Sequence, residues 1–74
     1  MRTQVFSVPD ISCDVCKNAI EGALRPLPGV RVAVVDVGAG TVSVDFEDTI
    51  APGALVAAIE QQGYRVATVR DDGD

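Results

Sequence analysis

Cys13 and Cys16 stand three apart in the run Ile11-Ser12-Cys13-Asp14-Val15-Cys16, and the chain has no other cysteine and no histidine. Such a pair can form a small disulfide, work as a thiol–disulfide couple, or supply two thiolate ligands. A disulfide here would close a very short loop and restrict the unfolded chain little, so it would stabilise almost nothing. In a reducing compartment the spacing belongs more often to a metal site or a redox pair. Zinc normally takes four ligands, and two sulfurs without imidazole would need carboxylates or a second molecule to complete them. Thiolates select soft ions, and two or three sulfurs in an open arrangement satisfy Cu(I). An incomplete shell also leaves space for a partner's thiolate, so an ion could be handed over without being released.

The elements that must present this pair follow from the flanking pattern. Cys16, Ala19, Ile20, Ala23, Leu24 and Leu27 recur at the spacing of one helical face, which predicts a helix from about Asp14 to Arg25. Ser12 or Asp14 is placed to cap its start, and Pro26, Pro28 and Gly29 supply its stop. Cys13 then lies in the preceding loop and Cys16 in the first turn. Unpaired amides and the helix dipole favour thiolate there, and Lys17 adds a cation. Asp10 and Asp14 oppose a second negative charge until a metal cation compensates both sulfurs.

Around this unit, Thr3 to Val8, with Phe6 and Val8 on one face, predicts a strand that Pro9 ends. Val30 to Val37 reads as a strand of ambiguous facing, Gly38-Ala39-Gly40 as a hairpin, and Thr41 to Glu47 as a strand with Val42, Val44 and Phe46 inward. Pro52 opens a second helix with Leu55, Val56 and Ile59 on its apolar side, Gly63 stops it, and Tyr64 to Val69 predicts a last strand. The order strand, helix, strand, strand, helix, strand predicts a ferredoxin-like βαββαβ two-layer sandwich of the α+β class. Its four-stranded antiparallel sheet carries two helices on one face. Phe6, Ile20, Leu24, Val44, Phe46, Leu55 and Ile59 are its expected core.

Seventy-four residues leave room for one such domain, expected over residues 1–70, with 71–74 an acidic, disordered tail. Eleven acids against six bases give a net charge of −5, which repels phosphate backbones and argues against a nucleic-acid partner. No apolar run is long enough to span a bilayer, and the first residues lack the apolar stretch of a secretory signal. A cytoplasmic, self-contained gene product beginning at Met1 is therefore expected.

Taken together, the Ile11–Cys16 loop, the Leu27-Pro28-Gly29-Val30 turn, the Val42-x-Val44-x-Phe46 strand and the Gln62-Gly63-Tyr64-Arg65-Val66 segment resemble the heavy-metal-associated domains, the small copper chaperones and the amino-terminal domains of copper-pumping P-type ATPases. The resemblance runs from about Thr3 to Val69. It implies soft-metal trafficking with Cys13 and Cys16 as ligands and with Ile11, Ser12, Asp14, Lys17 and Tyr64 around them. A copper-transporting P-type ATPase domain or a copper-responsive regulator is the implied recipient, and the carrier is a monomer or a metal-bridged dimer. The family loop usually begins with methionine; Ile11 keeps the buried apolar anchor but lacks the thioether. Tyr64 matches the tyrosine common in bacterial chaperones, where it lies beside the metal loop.

Plainer roles stand beside these. Tyr64 also reads as a packing aromatic, Lys17 as a solvated helix residue, and Asp10 and Asp14 as a turn and a cap. Two rival functions share the cysteines. One is a Zn²⁺, cadmium or mercury carrier that adds an oxygen from Asp14 or Asp10. The other is a thiol–disulfide oxidoreductase, disfavoured because Asp14 opposes a low thiol pKa and the aromatic-flanked motif of thioredoxin-like proteins is missing. The leading expectation is a non-enzymatic Cu(I) chaperone.

Overall fold

The computed structural model describes residues 2–12 and 14–71, with the side chain of residue 71 left aside. Its elements run β1 (Arg2–Ser7), α1 (Asp14–Leu24), β2 (Val30–Asp36), β3 (Thr41–Phe46), α2 (Pro52–Gln61) and β4 (Thr68–Asp71). The strands form one antiparallel sheet in the order β2-β3-β1-β4, so the two central strands are the first of each half.

Alternation decides which face is covered. Phe6 and Val8, Ala33 and Val35, and Val42, Val44 and Phe46 are buried in one cluster with Ile20 and Leu24 of α1 and Leu55 and Ile59 of α2. Both helices therefore lie on that face, and each fully buried large side chain contributes roughly 1.5–3 kcal/mol. All seven side chains expected in the core are there. On the opposite, open face Val32 and Val34 are half exposed, and Thr3 donates its hydroxyl hydrogen bond to Asp45 Oδ1. The facing of β2 is thus Ala33 and Val35 in, Val32 and Val34 out, with a register irregularity between Val30 and Val32. Gln4 is the polar exception on the covered face, its Oε1 buried without a hydrogen-bond partner among the described residues.

Several boundaries differ from the sequence reading. The first three strands and α1 each end one residue early, at Ser7, Asp36, Phe46 and Leu24, the ordinary uncertainty of a fraying end. The last strand is displaced further. Residues 64–67 carry no ladder, and β4 begins at Thr68 and continues through Asp71. Tyr64 and Val66 are half-buried against the core, so this stretch is an extended strap that packs by alternate side chains before pairing starts. Asp71, expected in the tail, is paired with Gln4, while Asp72, Gly73 and Asp74 lie outside the described residues.

The connection from α1 to β2 turns on Gly29, whose φ of +96° lies in the left-handed region. A Cβ there would stand 2.8 Å from Ile50 Cδ1, so strain and contact act together. Gly29→Ala is expected to lower the thermal midpoint by about 10 °C in a calorimetric scan. An unchanged midpoint would show that the turn relaxes freely.

Candidate functional site

Three connections gather at one end of the sheet. Ser7 pairs with Thr41 on one side and Thr68 on the other, so the loop leaving β1, the β2–β3 turn and the strap leading into β4 share that end. The loop leaving β1 is tied at its base. Val8 donates its N–H to Gly40 O at 2.8 Å, and Ser7 O accepts the N–H of Ala67 at 2.7 Å. Val8 O in turn accepts the N–H of Ile11 at 3.1 Å, closing a turn across Pro9 and Asp10. Ile11 is buried, 4 % exposed, and anchors the loop from below while Pro9, Asp10 and Ser12 are exposed. The apolar anchor expected of Ile11 is therefore present without a thioether.

Cys13 lies outside the described residues. Cys16 is in the first turn of α1, 8 % exposed, at the edge of the core cluster. It belongs to the face that continues through Ile20 and Leu24, and that face fixes its direction. Asp14 is exposed in the first turn of the helix, where a carboxylate favours the positive end of the dipole and orphan amides await partners. Lys17 is partly exposed on the following turn. Among the described residues no three His, Cys, Asp or Glu side chains group as a metal site.

Tyr64 is half-buried in the strap and packs against the core cluster to which Ile11 and Cys16 belong. With Glu60, Gly63 and Arg65 it also lines an open depression of about 350 Å³. The strap that carries Tyr64 and the loop that carries Ile11 thus pack on one core cluster.

Two features escaped the sequence reading. Val15, between the cysteines, is 74 % exposed, an apolar side chain held out beside two exposed carboxylates, Asp10 and Asp14. Its position off the Cys16–Ile20–Leu24 stripe was the available signal. Glu21 is buried inside the helix face, its Oε2 accepting the Val35 N–H at 3.0 Å and its Oε1 lying 3.1 Å from Arg25 NH2. The Glu21–Arg25 spacing marks an ordinary helical ion pair, but nothing in it indicates depth.

The model of the heavy-metal-associated domain matches residues 5–65. The chain belongs to that family. Among its relatives, the copper chaperone CopZ of Staphylococcus saprophyticus is 46% identical over 67 residues, covering 89% of this chain and 98% of that protein. A solved CopZ metallochaperone superimposes with a TM-score of 0.85 at 39% identity, covering 88% of this chain and 98% of the other. The Cu(I)-loaded N-terminal domain of a potential copper-translocating P-type ATPase from Bacillus subtilis has a TM-score of 0.81 at 27% identity, covering 99% and 90%. The ferredoxin-like architecture is common to these structures and to this chain. Among the described residues no helix is long and apolar enough to cross a membrane.

Proposed function

We propose that this heavy-metal-associated domain is a Cu(I) chaperone in which Cys13 and Cys16 hold the ion as thiolates. The ion passes by ligand exchange to a copper-transporting P-type ATPase domain or a copper-responsive regulator. The observation that carries the reading is Cys16 itself: a sulfur in the first turn of α1, at the boundary between the core and an exposed loop, three residues after Cys13. The names of relatives that match nearly the full chain support it.

Cu(I) is the cargo, and transfer changes only which sulfurs surround it. An incoming thiolate adds to the two-sulfur ion, one chaperone sulfur leaves, and a second exchange completes the move. Protons released when recipient thiols bind are balanced by protons taken up at Cys13 and Cys16. Only copper–sulfur bonds are exchanged and the ion keeps its oxidation state, so the protein works as a carrier. Softness favours sulfur over the carboxylates of Asp10 and Asp14. Those carboxylates and Val15 instead form the surface a recipient meets, and their charge suits a basic rim around an apolar contact.

Anaerobic titration against a Cu(I) chelator is the test. The wild-type protein should hold one equivalent in competition, and the variant with Cys13→Ser and Cys16→Ser should hold none. Equal competition by the two proteins would overturn the assignment, as would an X-ray absorption spectrum showing copper among oxygens or nitrogens only.

A further inference from the structure

Val8, the first residue beyond β1, is fully buried and bonded at both ends of its peptide links. Its N–H is held by Gly40 O at 2.8 Å, and its O holds the Ile11 N–H at 3.1 Å. A continuous relay therefore runs from the β2–β3 turn through Val8 to Ile11, the buried anchor two residues before the first cysteine of the motif. The turn at the head of the relay is itself closed by hydrogen bonds. Gly40 donates its N–H to Asp36 O at 2.8 Å, and the Ala39 N–H is accepted by Asp36 Oδ1 at 3.1 Å. Gly40 takes a φ of +68°, and a Cβ added there would lie 3.4 Å from Val8 O and 3.9 Å from Pro9 Cα. A side chain at residue 40 is thus strained by the left-handed backbone, while its Cβ would only touch the carbonyl that anchors Ile11.

We infer that Gly40 is a positioning residue for the cysteine loop: it contributes nothing to the ion, but through Val8 it sets the point from which the chain enters the metal-binding motif. The inference rests on the proposed function for its consequence in copper handling and not for its geometry. Its backbone hydrogen bond keeps the loop base seated, and its lack of a side chain lets residue 40 hold the left-handed backbone from which that bond is made. A β-branched residue at position 40 is strained in the left-handed region, and a turn that leaves that region lengthens the first link of the relay. Asparagine tolerates the left-handed region and should preserve it.

The test compares Gly40→Val and Gly40→Asn with Gly29→Ala. Gly29 occupies another left-handed turn, at the opposite end of the sheet, where its O accepts the Glu47 N–H at 2.9 Å. In the metal-free protein, Gly40→Val should speed amide exchange at Ile11 roughly tenfold relative to Glu47, and Gly29→Ala should do the reverse. With copper, release to a chelator followed by stopped flow should be roughly tenfold faster for Gly40→Val, and close to wild type for Gly40→Asn and Gly29→Ala, all at a temperature where each is folded. If Gly40→Val does not fold, Gly40→Ala takes its place with a smaller shift in the same direction. Unchanged Ile11 exchange in folded Gly40→Val, or in Gly40→Ala where it takes its place, would overturn the relay. Equal acceleration of release by Gly29→Ala would reduce the effect to general destabilisation and overturn the positioning role. A wild-type protein that holds no Cu(I) would sink the proposed function alone, since the exchange experiment needs no metal.

Discussion

A Cys16→Ala protein will keep its far-UV spectrum and lose Cu(I) affinity by more than the roughly 100-fold that changes behind the ligands cost in metal sites. The structural part of the loss is small. Cys16 sits at the rim of the core, and removing one buried sulfur costs about 1 kcal/mol through lost contacts and a shallow void. Alanine suits the first turn of a helix and leaves Ile20 and Leu24 to hold α1 on the sheet. The chemical part is large because in the proposed site the ion would have only two sulfurs to begin with. If Cys16 were a core residue and nothing more, the same substitution would lower the urea midpoint slightly and leave copper competition untouched. Circular dichroism with chelator competition on the same samples separates the two outcomes.

Glu21→Ala will cost about 2–3 kcal/mol, read as a fall in the urea midpoint at unchanged slope. The carboxylate is 6 % exposed and accepts the backbone N–H of Val35 on an edge strand. Its removal leaves that N–H without its partner in a largely dry place, a larger penalty than the bond's net gain. The contact with Arg25 adds little, since the guanidinium is mostly in water. Glu21→Gln keeps an acceptor of the same shape and should cost about 1 kcal/mol. Equal losses for the two variants would assign the stability to charge and not to the hydrogen bond. The alanine variant also uncovers part of a strand with Val32 and Val34 half exposed on its outer face, so it should associate at concentrations where wild type stays dispersed.

The residues that made the fold legible were those whose neighbours in sequence are also their neighbours in packing. Ile20 and Leu24 announce one side of a helix, and Val42, Val44 and Phe46 announce one side of a strand, because periodicity and burial report the same geometry. Where side-chain pattern and backbone pairing separate, the reading failed. Tyr64 and Val66 alternate as a strand does, yet that stretch packs as a strap while the ladder starts at Thr68. Burial of Glu21 depends on the edge of β2 coming within reach of α1, a contact 14 residues away in the chain and invisible to any local pattern. At the candidate site the cysteine spacing, the buried Ile11 and the helix start were all readable. The tie from Gly40 to Val8 was not, because a glycine in a hairpin already has a sufficient local reason to be there.

The footing of the cysteine loop comes from late in the chain. Its two ties at the end of β1 are supplied by Gly40 and Ala67, whereas both cysteines precede residue 17. During synthesis the thiols therefore leave the ribosome on a segment with nothing yet to seat it, and the seat is completed only when the final strand follows. Under the proposed function, delivery of copper to this protein is in that sense an event for the finished molecule, with nascent chains offering two loose sulfurs in place of a prepared receptacle.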